Sequence, residues 1–596
     1  MSFFNLFTQG GQTQLHQLRM IKQVVWATLL VSLILGVGVG AWRAWTKLPY
    51  GVLSWVHGAY LAEFKLSWPY VKKDQMKQTF FYPNGHKKEV ASLDILRHPN
   101  ATRAKKVFFS ALNEGVFWGI WTALLSFLSC SLLWIWRGRK NKEKKLLSGV
   151  HLVSTSSLKK LMRPQGRKGV LHIAGIPLTE NLETKHMLLS GTTGAGKTNC
   201  LHTLLPQIRL AKQRAVIVDL TGEFVSKYFR QGQDVLLNPF DARSSGWNPW
   251  SECVHDYHYD DLAASMIPEQ SRDPFWHTAA RILLAEALKR LKPKPNLEKL
   301  LDVLVNSSLA EASLFFKNSK AASFVTKDAE KTAASIRATL ASHLSSLVYL
   351  DESTPFSIRQ WVRQDQSWDQ PQAREDSWLF LVALPDQREA MRSLLSTWVG
   401  VAIRSLLSLD SMSLEPNPSR RLWFIMDELP ALHHLPSLPL GLAEARKYGG
   451  CFILGLQDTN QLDELYGHNM AKSILGLLNT KILFRSPDDT TAKRLSALLG
   501  EREESEIIEG LSFGAHHMRD GISLSDQRRI KPAVSTTDIM NLKDLEAYLK
   551  FPGTSSVAKI TFAPLKHPAI AAPFIEKPQT LTQSPKRSKK NSKTTA

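Results

Sequence analysis

Two long apolar runs stand out in the first quarter of the chain. Residues 24 to 42 and residues 116 to 136 carry no charged side chain, and each run is long enough to cross a bilayer as a helix. Tryptophans lie near the ends of the runs, where interfacial aromatic residues are common. The pattern predicts a hairpin of two transmembrane helices joined by residues 43 to 115.

From about residue 170 the pattern changes to short apolar runs that alternate with helical periodicity, which is typical of a doubly wound α/β domain with a parallel sheet. Between residues 253 and 353 only helical periodicity remains, and this predicts an all-α domain inserted into the α/β domain. The two parts of the α/β domain are then residues 170 to 252 and 354 to 575. The runs predicted as strands are residues 186–190, 215–218, 234–237, 378–383, 423–426, 451–456 and 481–484.

A glycine-rich stretch, "GTTGAGKT", follows the first of these strands and precedes a predicted helix, residues 199 to 210. It fits the phosphate-binding loop, in which backbone N–H groups face phosphates, a lysine binds the β- and γ-phosphate oxygens, and a hydroxyl binds Mg²⁺. ATP with Mg²⁺ is therefore the expected ligand. The predicted nucleotide-binding residues are Gly191, Thr192, Thr193, Gly194, Ala195, Gly196, Lys197 and Thr198.

Acidic residues end a later apolar strand, in "RRLWFIMDELP". We expect Asp427 to hold Mg²⁺ together with Thr198, and Glu428 to orient and deprotonate the attacking water. Gln457 ends the next strand, where it either contacts the γ-phosphate or is a solvated amide. With Lys197, these residues predict a nucleotide-hydrolysing site.

Two arginines are candidates to complete the site of a neighbouring subunit, because transition-state charge in phosphoryl transfer is commonly met by an arginine from outside the loop. Arg446 lies in "EARKYGG" and Arg485 in "LFRSPDD". Each can also be read as an ordinary surface arginine. We favour Arg446 as the catalytic arginine.

The charge of the chain is strongly positive, with a net charge of +22 and a pI near 9.7, which favours nucleic acid or anionic lipid as a partner. Basic residues before the first span and in the predicted linker, residues 137 to 169, predict that both termini are cytoplasmic. Residues 1 to 23 are then a cytoplasmic segment, and residues 43 to 115 are a periplasmic loop. Residues 576 to 596 predict a disordered basic tail that contacts DNA or lipid, or has no dedicated partner.

The motifs, taken in order along the chain, resemble those of type IV coupling proteins, most closely the members from F-type conjugation systems. The resemblance runs from about residue 8 to about residue 575. Its motifs are "GTTGAGKT", "DLTGEF", "NPFDARSSGWNPW", "DPFW", "FSIRQWV", "RRLWFIMDELP", "EARKYGG" and "LGLQDTNQLDELYG".

This resemblance implies a RecA-like P-loop ATPase in the bacterial inner membrane, with an all-α domain facing the cytoplasm. It implies a homo-hexamer that pumps a relaxase-bound DNA strand towards a type IV secretion channel. It also implies the roles given above for Lys197, Thr198, Asp427, Glu428, Gln457 and Arg446. F-type members usually carry a long C-terminal extension that docks an accessory protein, so docking of that kind is not expected from the short basic tail here.

Three other functions fit parts of the pattern. A coupling ATPase for protein effectors has the same motor, and the motifs do not separate it from a DNA pump. A docking receptor that binds nucleotide without translocating substrate does not need Lys197, Asp427 and Glu428. A chromosome-segregation translocase usually has more membrane spans and a winged-helix module.

Overall fold

The computed structural model of the chain forms two compact units. The first contains Met1–Lys145 and Ser505–Gln527, and the second contains Leu146–Glu504 and Arg528–Ala596. The described residues are 3–69, 76–142, 145–162, 168–268, 274–326, 328, 330–350, 356–363, 376–409, 421–512 and 521–578.

The helices and strands are numbered in chain order. The α-helices are α1 (Phe3–Thr46), α2 (Val52–Leu66), α3 (Ser92–Arg97), α4 (Pro99–Lys142), α5 (Thr155–Leu161), α6 (Lys197–Leu210), α7 (Glu223–Tyr228), α8 (Asp256–Met266), α9 (Pro274–Leu291), α10 (Leu297–Leu301), α11 (Leu309–Phe315), α12 (Glu330–Leu344), α13 (Ile358–Arg363), α14 (Arg388–Leu407), α15 (Leu438–Glu444), α16 (Thr459–Tyr466), α17 (His468–Leu477), α18 (Asp489–Leu499) and α19 (Thr536–Met540). The strands are β1 (Lys77–Phe81), β2 (Lys87–Ala91), β3 (Lys145–Gly149), β4 (His151–Val153), β5 (Lys168–Ile173), β6 (Ile176–Thr179), β7 (Met187–Ser190), β8 (Arg214–Asp219), β9 (Val235–Leu237), β10 (Trp378–Val382), β11 (Leu422–Met426), β12 (Gly450–Leu456), β13 (Thr480–Leu483), β14 (Glu501–Ser512), β15 (Gly521–Pro532), β16 (Glu546–Lys550) and β17 (Ser556–Thr561).

The first unit contains the two predicted spans. Each lies inside a longer helix, and the segments Leu18–Thr46 of α1 and Pro99–Arg139 of α4 are long and apolar enough to cross a membrane. Between the two spans, β1 and β2 form an antiparallel hairpin. Trp55 on α2 packs against Phe80 of this hairpin, with ring centroids 4.7 Å apart.

Glycines bring α1 and α4 into close contact. A Cβ atom on Gly40 would lie 2.8 Å from the carbonyl oxygen of Gly115, and a Cβ on Gly115 would lie 2.5 Å from the carbonyl oxygen of Gly40. Gly36 and Gly119 meet in the same way one turn away. Both helices therefore carry a G-x-x-x-G pattern at their contact, the spacing that lets helix backbones approach closely inside a bilayer.

The second unit is built on a ten-stranded sheet with the order β4-β17-β16-β13-β7-β12-β11-β8-β10-β9. The strands from β13 to β9 are parallel, and β16 pairs with β13 in the antiparallel direction. The parallel strands are buried on both faces, which explains their continuous apolar runs in the sequence. All the predicted strands of this domain are confirmed.

The sheet extends beyond the predicted limits of the α/β domain. β4 lies inside the predicted linker, residues 137 to 169, yet it pairs with β17 at the edge of the sheet. That segment is therefore more than a linker, because part of it adds a strand. The long strands β14 and β15 also lie outside every strand predicted from the sequence, and β14 lies between β15 and β3 in a separate sheet.

Between β9 and β10 the described residues form helices and no strand, which agrees with the predicted helical insertion. Its apolar residues, such as Leu283 on α9 and Ile336 on α12, share one hydrophobic core with Val216 and Phe424 of the sheet. The insertion and the sheet thus belong to one compact unit. The boundaries at residues 253 and 353 remain predictions.

A buried carboxylate, Glu252, joins the two ends of the insertion. Glu252 precedes α8, and its oxygens accept hydrogen bonds from the backbone N–H groups of Ile358 and Arg359, 2.7 and 2.8 Å away, at the start of α13. They also accept from Trp247 Nε1 at 2.9 Å and from Ser357 Oγ at 3.3 Å. The chain therefore enters and leaves the insertion at one fixed point.

Candidate nucleotide-binding site

A cavity of about 400 Å³ lies at the edge of the sheet where the parallel strands have their carboxyl ends. This is the usual ligand position in open α/β sheets. Most of the residues that line the cavity follow β7, β8, β10, β11 and β12 in the chain. They are Thr192, Thr193, Gly194, Gly196, Lys197, Thr198, Asn199, Val218, Leu220, Thr221, Phe224, Arg388, Asp427, Glu428, Gln457 and Leu545.

The phosphate-binding loop connects β7 to α6, as predicted. Backbone hydrogen bonds hold it to the neighbouring loops, from Gly191 N to Leu456 O at 3.1 Å and from Thr192 N to Arg485 O at 2.9 Å. Gly196 has a φ of 121° and is crowded by Leu545, so a side chain at this position would be strained and would meet its neighbour. The loop is therefore already shaped before a ligand arrives.

Lys197 lies inside the loop with only 7% of its surface exposed. Its Nζ donates to the carbonyl oxygens of Gly191 and Thr192, at 2.6 and 3.3 Å. Burial lowers the pKa of Lys197, while the charges of Asp427 and Glu428 raise it. The ammonium group is thus held by weak carbonyl partners that phosphate oxygens can replace.

The oxygens of Thr198 and Asp427 fit a magnesium ion. Thr198 Oγ1 donates to Asp427 Oδ2 at 3.0 Å. Asp427 Oδ1 is inaccessible to solvent and has no hydrogen-bond partner in the described part of the chain. Mg²⁺ prefers carboxylate, hydroxyl and phosphate oxygens, and an unpaired buried carboxylate oxygen needs a cationic partner.

Glu428 follows Asp427 and lines the same cavity. Burial raises the pKa of Glu428, and the nearby amide of Gln457 opposes this shift. Gln457 Oε1 in turn accepts from Thr193 Oγ1 at 3.0 Å. The exposed amide of Gln457 therefore contacts the phosphate-binding loop, and its contact with the γ-phosphate stays a prediction.

Gly455 fixes the position of the acidic pair. A Cβ atom at Gly455, on β12, would lie 1.8 Å from the backbone oxygen of Asp427. No side chain fits in that space, so the glycine lets the end of β11 approach β12 closely. This contact sets the distance from Asp427 and Glu428 to Gln457.

The two candidate arginines lie at opposite ends of the parallel strands. Arg446 is exposed, in a short 3₁₀ helix (Ala445–Tyr448) before β12, whereas Gln457 directly follows β12. Seven strand residues span about 20 Å at ~3.3 Å per residue, so Arg446 cannot reach the cavity of its own chain. Arg485 follows β13 beside its own phosphate-binding loop, and its guanidinium lies 2.8 Å from Asp544.

Comparison with known proteins gives the family. Residues 170–563 match the model of the type IV secretion-system coupling protein DNA-binding domain. The chain belongs to this family of coupling proteins. Among its relatives, the coupling protein TraD of Escherichia coli (strain K12) is 30% identical over 588 residues, which cover 95% of this chain and 79% of TraD.

Solved structures of a second coupling protein have the same fold. The bacterial conjugative coupling protein TrwBΔN70 in its unbound form is 30% identical, with a TM-score of 0.64, over 73% of this chain and 98% of that chain. TrwB has also been solved with a non-hydrolysable ATP analogue and with ADP and Mg²⁺, with the same identity, TM-score and coverage. The RecA-like fold with a helical insertion is therefore confirmed for this coupling protein.

Several residues of the cavity were missed by sequence reasoning. Arg388, at the start of α14, lies five residues beyond the predicted strand 378 to 383. Because carboxyl ends of parallel strands meet at one edge, polar residues after this strand could have been added to the candidates. Leu545 comes from a distant part of the chain and carries no comparable signal.

Proposed function

We propose that this coupling protein is an inner-membrane ATPase that links a relaxase-bound DNA strand to a type IV secretion channel and drives its transfer by ATP hydrolysis. One observation carries the proposal. The phosphate-binding loop, Asp427, Glu428 and Gln457 converge on a single cavity in a chain of the coupling-protein family. TrwB, which binds an ATP analogue and ADP with Mg²⁺, supports the same ligands here.

In this proposal the ligand contacts follow from the residues already described. Lys197 Nζ leaves the carbonyls of Gly191 and Thr192 for the β- and γ-phosphate oxygens, and Thr198 with Asp427 holds Mg²⁺. When bound, Mg²⁺ neutralises charge on the β- and γ-phosphate oxygens.

Glu428 acts as the general base for the attacking water. A general base is most effective when its pKa lies near the working pH, and burial raises the pKa of Glu428 towards that range. Gln457 holds the carboxylate in position through its amide and also contacts Thr193, next to the phosphates. Loss of the γ-phosphate would therefore change the contacts of Thr193 and Gln457, and through Gln457 the position of the Glu428 carboxylate.

Arg446 serves the site of a neighbouring subunit in a homo-hexamer. Its place at the opposite edge of the sheet excludes action in its own site, and its side chain makes no ion pair with any described residue of the chain. Arg485 is less suited to this role, since it faces its own loop and pairs with Asp544.

Mixed rings test this role. Arg446→Ala and Lys197→Ala proteins should each lack ATPase activity, and a co-assembled mixture should recover part of it, because some interfaces then pair an intact loop with an intact arginine. Native mass measurement confirms that the rings are mixed. Mixed hexamers as inactive as their parents would argue against a trans role for Arg446.

The membrane orientation is part of the proposal. Asn84 lies in the exposed turn between β1 and β2, and Ser335 is exposed on α12. In a cysteine-free background, Asn84→Cys should react with a membrane-impermeant thiol reagent in intact cells, and Ser335→Cys should react only after lysis. Labelling of Ser335→Cys in intact cells would contradict a cytoplasmic motor.

The main test is ATP hydrolysis by the full chain in lipid nanodiscs, with no DNA, with single-stranded DNA and with duplex DNA. DNA should increase the rate in the wild-type protein and leave Lys197→Ala inactive. Hydrolysis that is active but indifferent to both forms of DNA would favour a coupling ATPase for protein effectors. Binding of ATP without hydrolysis under any condition would favour a docking receptor.

A further inference from the structure

Among the described residues, the nucleotide cavity is lined by two cationic side chains. One is Lys197 of the phosphate-binding loop, and the other is Arg388 at the first position of α14. Two carboxylates, Asp427 and Glu428, line the same space. Without Arg388 the cavity would hold more negative than positive side chains, which is unfavourable for a triphosphate.

Arg388 is half-buried, and its guanidinium makes few direct contacts. Its Nη2 donates to the carbonyl oxygen of Leu220 at 3.2 Å, and its Nε is buried without a hydrogen-bond partner. The nearest charge acting on it among the described residues is that of Glu428, whose pKa Arg388 lowers without a direct ion pair. A guanidinium with no carboxylate in direct contact keeps donors available, so an anion supplied by a ligand can bind it.

Helix stability does not explain an arginine at this position. The first turn of a helix carries partial positive charge and favours acidic side chains, whereas Arg388 is the first residue of a 20-residue helix. The cation is therefore placed against the local preference of α14. Such a conflict is expected where a residue serves a ligand.

The position of Arg388 between two cavities also indicates which end of a bound nucleotide it would contact. A second cavity, lined by Arg392, Gln461 and Glu464, adjoins the first, and three residues line both. These shared residues are Arg388, Glu428 and Gln457. Arg388 therefore lies with the groups proposed to act on water, whereas the phosphate-binding loop lines the first cavity alone.

We propose that Arg388 binds the terminal phosphate of a nucleoside triphosphate in its own subunit, so that the site distinguishes triphosphate from diphosphate. This inference rests on the proposed function, since it assumes that the cavity binds ATP. Its guanidinium reaches the γ-phosphate from the side of α14, opposite the backbone of the loop. Lys197 contacts both ligands, but Arg388 contacts only the one that carries a third phosphate.

The chain supplies a matched control in Arg392, one turn further along α14. It is also half-buried, its Nη2 donates to the carbonyl oxygens of Pro430 and Leu432, and its Nε has no partner. Unlike Arg388, it lines only the second cavity. Loss of Arg392 should therefore disturb packing without selecting between nucleotides.

The experiment measures dissociation constants of ATPγS and ADP, with Mg²⁺, by calorimetry on the full chain in lipid nanodiscs. Arg388→Gln should weaken ATPγS binding by about tenfold or more, which is ~1.4 kcal/mol, and change ADP binding by less than about twofold. Arg388→Lys should restore part of the loss, because it keeps the charge but not the planar fork. Arg392→Gln should leave the ratio of the two constants unchanged.

Equal weakening of ATPγS and ADP by Arg388→Gln would overturn the inference, and so would no weakening of either. ADP binding shows in the same samples that each variant is folded. A wild-type protein that binds neither nucleotide would instead contradict the proposed function. The two failures are thus distinguishable.

Discussion

Two buried carboxylates in the second unit have opposite surroundings. Glu252, at the base of the helical insertion, accepts hydrogen bonds from two backbone N–H groups, an indole and a hydroxyl. Asp427, at the floor of the cavity, accepts one hydrogen bond, from Thr198, and its Oδ1 has no partner in the described part of the chain. Burial raises the pKa of both groups.

The difference separates a structural carboxylate from a functional one. Glu252 is satisfied by the folded chain itself, so it stabilises the fold and has no capacity left for a ligand. Asp427 is left short of partners, which costs stability until a cation or a ligand completes it. Four predictions test this division, and they follow from the largest expected effect to the smallest.

Glu428→Gln should lower the ATPase rate by about 10²- to 10⁴-fold, the usual contribution of a general base, while ATP still binds. Calorimetry and steady-state hydrolysis on the same protein measure both effects. Glu389→Gln is the control, because Glu389 is exposed and lies outside the cavity. A Glu428→Gln protein that hydrolyses ATP at the normal rate would show that Glu428 is not the general base.

Glu252→Ala should destabilise the second unit by about 3 kcal/mol or more, because it leaves two buried backbone N–H groups and the Trp247 indole unpaired. Urea unfolding followed by tryptophan fluorescence measures the loss. ATP affinity under native conditions should change little, since Glu252 lies outside the nucleotide cavity. A large loss of ATP affinity in a protein of normal stability would show that Glu252 contributes to nucleotide binding and not to the fold.

Asp427→Asn should abolish the Mg²⁺ dependence of nucleotide binding and yet raise stability by about 0.5 to 1 kcal/mol. The amide removes a buried charge whose Oδ1 has no hydrogen-bond partner in the described part of the chain, and it keeps the shape of the side chain. Thermal unfolding without nucleotide measures this gain. If Asp427→Asn were as destabilising as Glu252→Ala, the two carboxylates would not differ in the way described.

The last prediction, the smallest in its effect on the comparison of the two carboxylates, concerns three histidines that lie close together. His277 on α9, His343 on α12 and His433 in the loop after Glu428 form a chain of rings, with centroids 5.8 and 6.0 Å apart. Burial lowers the pKa of His343 and of His433 to about 4, helped by the nearby charges of Arg281 and Arg392. Both histidines are therefore neutral in the folded protein near pH 6.

The unfolded chain protonates these histidines near pH 6.5, whereas the folded chain resists protonation down to about pH 4. The unfolded state then binds more protons in this window, so stability should fall as pH decreases from 6.5 towards 4. Urea midpoints at pH 7 and pH 5 should show the decrease, and it should be smaller in His343→Gln. An unchanged pH dependence in that variant would assign the effect to other histidines.

The sequence predicted those features that depend on neighbouring residues in the chain. The parallel strands were found because burial on both faces leaves continuous apolar runs, and the loop was found because its glycines and Lys197 have a fixed spacing. Asp427 and Glu428 were found because they end such a run. Each of these signals lies within a few residues of the feature that it predicts.

Features that depend on distant pairing were missed or left open. β4 is short and exposed, and it can be recognised as a strand only from its pairing with β17. Arg388 became a candidate only when β10 was placed beside β8 and β9. The positions of Arg446 and Arg485 needed the directions of β12 and β13, since spacing alone does not tell at which end of a strand a residue lies. Which of the two acts on a neighbouring subunit stays a prediction.

The glycine contact between α1 and α4 has a consequence for how the protein is made. The partners Gly40 and Gly115 are about 75 positions apart, which a ribosome takes about 4 to 15 s to translate. If the helices enter the bilayer one after the other, the first spends that interval with its glycine surface uncovered and open to a G-x-x-x-G surface of another nascent chain. Synthesis of many copies on one message would favour such mistaken pairs, so the arrival time of the second helix limits how densely the anchor can be produced.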